Sequence, residues 1–364
     1  MSDEEMTRVL WVSTMLGLLC SAADTMSDLL LGIQYFREGR CVCFALTLTF
    51  IVVASVVTQI FSYAWFRDDG PKDKTLTKFQ LITVHLLHMG FFTRHLQLLK
   101  ASFGCVWCGR TSPASADDKA LSALRDLSML RLFETFLESV PQLLLQLYIV
   151  LQQQDATVIQ SLSMVVSFLS TAWTLVDFWR CLRRSLPQRG AMLRWFPAAV
   201  YLLYKALTIS ARILGLVLLL KLNLYCVLVL LLQWLLCGLW THKVKTEFCT
   251  SLCLEILYRA MVAFILIFTF FNIKGQNTKV PMIVYYVVVS LQNISAPLLL
   301  FILSPSVLDH DLYLTLTAFI LVANTMGLFF LALYYWALHP TLSRQADVVD
   351  GIVPSLRQRS TLVL

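Results

Sequence analysis

The residues best placed to do chemistry are acids and bases set inside long apolar runs: Asp24, Asp28, Arg94, Arg131, Glu134, Glu138, Asp177, Lys205, Arg212, Glu255 and Arg259. At the centre of a membrane helix each would cost roughly 2.5 to 3.5 kcal/mol on insertion scales, so each must face protein or a water-filled groove. Asp24 and Asp28 lie four residues apart, which puts both carboxylates on one helical face. Arg131, Glu134 and Glu138 follow at spacings of three and four, and Glu255 with Arg259 repeats the spacing of four. Acids and bases nearly balance, so they can pair internally. As buried ion pairs they would fix helix packing; as a hydrophilic track they would carry something polar across. Their number and spread along the chain favour the track. Mixed signs disfavour a simple ion channel and suit a zwitterionic headgroup, whose phosphate and amine need partners of opposite sign.

Other candidate chemistry is weaker. His85, His88 and His95 have no carboxylate at zinc-protease spacing, and Cys105 with Cys108 offers two thiols where structural zinc wants four ligands. The ten cysteines are scattered over apolar runs and loops, so neither a disulfide framework nor a metal is expected. No phosphate-binding G-x-x-x-x-G-K-[ST] loop occurs. Asn293-Ile294-Ser295 matches a glycosylation acceptor inside an apolar run and is expected to stay unmodified. Neither catalytic residues nor a cofactor are expected, and the protein does not read as an enzyme.

These residues must be positioned by membrane helices. Of 364 residues, 58% are hydrophobic and 14% charged, and the mean hydropathy is +0.72; a soluble domain carries roughly 25% charged residues. A soluble globular protein is excluded. The net charge of +7 reports cytoplasmic loops rather than nucleic-acid binding. The N-terminal MSDEEMTRVL is acidic, and the first apolar run holds Asp24 and Asp28, so it reads as a retained span and not a cleavable leader.

Apolar runs cover roughly 9–36, 42–66, 79–99, 126–152, 157–179, 196–220, 223–241, 250–273, 281–304 and 311–337. Connections 67–78, 100–125, 180–194 and those around Lys243 and Lys274 are rich in Lys and Arg and read as cytoplasmic. The turns at 37–40, 152–155, 304–311 and near Lys221 read as exterior. Both sets are satisfied only if 79–99 and 250–273 begin and end on the cytoplasmic side. The expected fold is therefore an all-α polytopic membrane protein with eight transmembrane helices, two re-entrant or partly inserted helices, and both termini cytoplasmic. The order span, span, re-entrant, span, span occurs twice, which predicts two pseudo-symmetric parallel repeats over 1–195 and 196–340 and a cytoplasmic tail over 341–364. Such repeats are common in proteins that move substrates between leaflets or compartments.

The stretch DLSMLRLFETFLESVPQLLLQLY at 126–148 resembles the signature of the XK-related membrane proteins. Asp24 and Asp28, FILIFTFFNIKGQNTK at 264–279 and YYWALHP at 334–340 extend the resemblance over nearly the whole chain, which looks most like the short, caspase-activated branch. The resemblance implies phospholipid scrambling at the plasma membrane during apoptosis. Phosphatidylserine would be exposed as an engulfment signal, without ATP or calcium. It also implies an eight-span bundle of two related halves, and a headgroup path at positions matching Asp24, Asp28, Glu134, Glu138, Asp177 and Arg212.

The tail adds Asp347-Val348-Val349-Asp350-Gly351, which reads as an executioner-caspase site: Asp in the first and fourth positions and a small residue after the scissile bond. Cleavage after Asp350 would release a peptide with apolar anchors such as Ile352 and Leu356 alongside Arg357 and Arg359, a candidate autoinhibitory segment. Expected partners are phospholipids and a caspase; an accessory membrane subunit or a second copy stays an open alternative. Two other classes remain: a secondary transporter or channel for a small polar solute, and a docking subunit for a lipid-transfer partner.

Overall fold

The computed structural model describes residues 3–68, 77–107, 114–184, 195–244, 248–249, 251–272, 279–304 and 308–338. Among them the chain is helical and forms no β-strand. Helices α1 (Asp3–Arg37), α2 (Cys41–Asp68), α3 (Lys78–Leu86), α4 (Gly90–Trp107), α5 (Ala114–Leu137), α6 (Ser139–Gln153) and α7 (Val158–Arg184) come first. They are followed by α8 (Trp195–Leu222), α9 (Cys226–Val244), α10 (Leu252–Phe268), α11 (Lys279–Leu303) and α12 (His310–Leu333), the last running into a π-helical turn, Tyr334–Leu338.

Among the described residues, seven helical segments are long and apolar enough to cross a membrane: Trp11–Arg37, Cys41–Asp68, Val158–Cys181, Phe196–Leu222, Cys226–Val244, Lys279–Leu303 and His310–Ala337. The expected eighth span, 126–152, is two helices, α5 and α6, meeting at Glu138. Pro141 accounts for the break: it has no N–H, and its ring collides with the carbonyl four residues back, on Leu137, where α5 ends. The 79–99 run is likewise two helices, and 250–273 is α10 followed by non-helical backbone from Thr269.

The chain divides into two compact units, Met1–Gln146 with Ala156–Leu193, and Leu147–Asp155 with Arg194–Leu364. In the first, α7 packs on both α1 and α5, and α2 covers α5. Phe61, Phe133 and Phe136 are fully buried, with the Phe61 and Phe133 rings 5.0 Å apart. The turn between α3 and α4 is pinned to one face of α2, which carries Ser55, Gln59 and Ser62. The Ser55 hydroxyl meets His88 Nδ1 at 2.5 Å, Gln59 Nε2 donates to the His88 carbonyl at 3.1 Å, and Ser62 Oγ lies 3.0 Å from His85 Nε2. His88 takes a positive φ of 58° to complete the turn. A Cβ on Gly90 would run into the His85 ring and the Gln59 amide.

In the second unit α8 is the axle, packed by α11 and α12. Between membrane helices there is little hydrophobic drive, so close backbone approach at small residues does the holding. A Cβ at Gly327 of α12 would lie 2.7 Å from Thr208 Cγ2 of α8, and one at Gly215 of α8 would lie 3.4 Å from Asn293 Cα of α11.

Candidate functional site

Helices α1, α5, α6 and α7 carry polar residues at spacings of three and four, the period of one helical face. On α1 the stripe is Ser13, Gly17, Ser21, Asp24 and Asp28; on α5 and α6 it is Arg131, Glu134, Glu138, Gln142 and Gln146; on α7 it is Gln160, Ser163, Ser167, Ser170, Thr174 and Asp177. These stripes face one another. Except for Glu134, which is half-buried, every residue in them is buried.

At one end Arg131 Nη1 pairs with Asp177 Oδ2 at 2.8 Å, and the Ser13 hydroxyl donates to the other Asp177 oxygen at 2.5 Å. The Arg131 guanidinium fills the space beside Gly17, where any Cβ would collide with it. One turn on, the Ser21 hydroxyl reaches both Glu134 oxygens at 3.0 Å. Next, Ser139 and Ser167 donate to the two oxygens of Asp24, the latter at 2.7 Å. Ser163 then donates to Asp28 Oδ1 at 2.8 Å and accepts from Gln146 Nε2 at 2.8 Å. From Ser13 to Asp28 this column runs about 22 Å, at about 1.5 Å per residue. That is most of the depth of a bilayer's hydrocarbon core. Near its middle is a hollow of about 10 Å³, lined by Asp24, Thr25, Arg131, Glu134 and Glu138 among others.

Two carboxylate oxygens here are left without a donor. Glu138 is 3% exposed and Asp28 fully buried, yet Glu138 Oε1 and Asp28 Oδ2 accept no hydrogen bond. Buried polar atoms are ordinarily satisfied, and exceptions cluster where a ligand or motion is involved. Among the described residues no group of three or more His, Cys, Asp or Glu side chains converges as a metal ion would need.

The kinked α5–α6 pair that supplies one wall contains the stretch 126–148, and the chain that builds these walls is similar to known proteins over nearly its whole length. The family described as XK-related protein matches residues 12–340. The chain belongs to the XK-related family. It is 46% identical to XK-related protein 9 of Tetraodon nigroviridis, over 98% of each chain. It is 31% identical to XK-related protein 8 of the same fish, over 95% of this chain and 87% of that one. To XK-related protein 8 of Pan troglodytes it is 34% identical, over 92% and 87%.

In this XK-related chain the column gathers Asp24, Asp28, Arg131, Glu134, Glu138 and Asp177 from the sequence-derived set. Arg94 stands apart from it. Its guanidinium lies 3.6 Å from Asp126, 3.3 Å from the Ser62 carbonyl and 4.0 Å over the Phe66 ring, which is an anchor for α4. The remaining four belong to the second unit. Lys205 Nζ donates to Thr269 Oγ1 and to the Phe270 carbonyl, both at 3.0 Å, and Arg212 donates to the Ile267 carbonyl at 2.8 Å and to Gln233 Oε1 at 3.0 Å. Glu255 accepts from the backbone N–H of Phe248 and Cys249 at 3.0 and 2.8 Å and pairs with Arg259 at 3.3 Å. Asp347, Asp350, Gly351, Ile352, Leu356, Arg357 and Arg359 lie outside the described residues.

Sequence reasoning missed the hydroxyl and amide partners, Ser139, Ser163, Ser167 and Gln146 above all, together with Gly17. The signal for them was present as the same three-and-four spacing. Ser and Thr barely lower the hydropathy of a run, so the spacing stayed hidden behind the charged residues.

Proposed function

We propose that this protein is a phospholipid scramblase of the plasma membrane, activated by caspase and exposing phosphatidylserine during apoptosis. The observation that carries the reading is the buried polar column of α1, α5–α6 and α7, a route of near-bilayer length inside an otherwise apolar bundle. A headgroup would exchange hydrogen bonds along it while its acyl chains stayed in lipid. No covalent bond changes, so the protein equilibrates leaflets in both directions without ATP and needs no catalytic residue. Eight crossings, with α3–α4 and α10 partly inserted and both termini cytoplasmic, best reconcile the loop charges with the helices. The two halves, 1–195 and 196–340, would be parallel repeats.

In the uncut protein the tail would hold the cytoplasmic face closed through Ile352, Leu356, Arg357 and Arg359. Cutting after Asp350 turns that intramolecular contact into a bimolecular one, and dilution removes the peptide. The test is reconstitution in liposomes containing fluorescent phosphatidylserine, with bleaching by a membrane-impermeant reductant. Intact, caspase-treated and caspase-treated Asp350→Ala proteins are compared. Loss of inner-leaflet signal is expected only in the cleaved wild-type sample. Cleavage without any lipid movement would discard the reading in favour of a solute substrate or a lipid-transfer partner.

A further inference from the structure

The turn between α3 and α4 carries a side chain that its backbone does not need. His88 takes a φ of 58°, in the left-handed region that glycine enters freely and other residues enter at a cost. The turn is clamped without the imidazole, because the Gln59 side chain binds it twice. Its Nε2 donates to the His88 carbonyl at 3.1 Å, and its Oε1 accepts from the Gly90 N–H at 3.1 Å. His85 completes the anchoring from inside, between the Leu81 carbonyl at 2.8 Å and Ser62 Oγ at 3.0 Å. Backbone outliers that local structure does not require collect at functional sites.

The His88 ring lies outside that clamp, at a depth set by α2. Ser55, which meets Nδ1, stands 14 residues from Cys41 and 13 from Asp68, the two ends of α2. About 20 Å of helix therefore separates it from either end, close to the middle of a span. Leu86, Leu87 and Met89 beside His88 are exposed, as are Val52 and Val56 of α2, a surface suited to hydrocarbon. His88 is exposed among them. Nδ1 is the one acceptor that the described residues give the Ser55 hydroxyl, so the hydroxyl donates and the ring proton sits on Nε2. That N–H has no partner among the described residues, and a donor left unpaired in hydrocarbon is costly.

We propose that His88 Nε2 donates to the phosphate oxygens of phospholipid headgroups as they pass the bilayer midplane, a polar station on the lipid-facing surface and apart from the α1, α5–α6 and α7 column. A phosphate ester offers strong acceptors and is common to every phospholipid, so the station serves them alike. The inference rests on the lipid-translocating reading above and adds to it a residue that touches the lipid.

The experiment uses the full chain, cleaved by caspase, in liposomes containing phosphatidylcholine or glucosylceramide labelled on an acyl chain; the second lipid has no phosphate. His88→Gly suits the left-handed backbone and keeps both Gln59 clamps. It should slow phosphatidylcholine about tenfold, the loss of one charge-assisted hydrogen bond, and leave glucosylceramide unchanged. The unfolding midpoint should hold, because relief of the backbone offsets the lost Ser55 contact. His88→Asn tolerates the same φ and keeps an N–H donor, so it should recover part of the phosphatidylcholine rate. An unchanged phosphatidylcholine rate, equal slowing of both lipids, or a midpoint that falls in step with flux overturns the inference and leaves scrambling intact. If the wild-type protein moves only phosphatidylcholine, the Gly and Asn rates for that lipid decide.

If the wild-type protein moves neither lipid, the scramblase reading fails. The contact is then judged on the detergent-solubilised protein by its unfolding midpoint with short-chain phosphatidylcholine or an alkyl glucoside. A rise with the phospholipid alone that His88→Gly abolishes supports the phosphate contact. Equal rises, no rise, or a rise that survives His88→Gly overturns it.

Discussion

The two units bury charge in opposite ways. In the first, carboxylates on unbroken stretches of helix are served by side chains from neighbouring helices: Ser139 and Ser167 on Asp24, Ser163 on Asp28, Ser21 on Glu134. In the second, the buried cations Lys205 and Arg212 take backbone carbonyls at and just beyond the end of α10, Phe270 and Ile267. The last carbonyls of a helix have no partner within it and carry its negative pole. A buried base there completes a helix end and leaves little over. A buried acid among hydroxyls leaves spare lone pairs, as at Glu138 and Asp28. Burial of charge by itself therefore does not set the two units apart; what distinguishes the first is that its buried carboxylates keep unsatisfied oxygens.

The sharpest way to break this contrast is Gly17→Val. The new side chain must expel the Arg131 guanidinium and strand Asp177, which should cost about 3 to 5 kcal/mol. It would be seen as a collapse of the unfolding midpoint and of monodisperse yield in detergent. Next comes Arg212→Met, which leaves the Ile267 carbonyl and the Gln233 amide without their donor, at about 1 to 3 kcal/mol. If that variant kept its midpoint but lost lipid movement, the second unit's cation would belong to the path and the contrast would fail.

Glu138→Gln should do the reverse. The midpoint should change by less than about 1 kcal/mol, because one oxygen already lacks a partner, while lipid flux falls. A loss of surface expression that matches the loss of flux would return Glu138 to a packing role. The smallest effect is expected from Pro141→Ala, within about 1 kcal/mol. It gives residue 141 an N–H to close on the Leu137 carbonyl, which amide exchange should report as slower opening across residues 138–142.

Much of this was legible in the sequence because hydropathy and spacing act locally. Asp24 and Asp28 share a face by geometry alone, and the seven long spans follow apolar runs that need no tertiary partner to be recognised. The 126–152 run was harder, since its hydropathy continues straight through Pro141 and only the ring's clash with Leu137 divides it. Arg94 looked like its fellow charges until Asp126, the first residue of the 126–152 run, proved to be its partner. Whether a helix face meets a carboxylate, a hydroxyl or a backbone carbonyl is decided by which helices pack together. No spacing within one helix contains that information.

The donors on the column have a consequence for time. Ser21, Ser139, Ser163 and Ser167 present hydroxyls, each a rotor about a single bond whose hydrogen turns to suit whatever accepts it. Such reorientation of a side chain takes picoseconds to nanoseconds, whereas packed helices shift in microseconds to milliseconds. Handing a hydrogen bond from a carboxylate to a passing group thus requires no backbone movement. The pace of any traffic along the column is set by how often α1, α5 and α7 part, and not by the exchange of partners once they have.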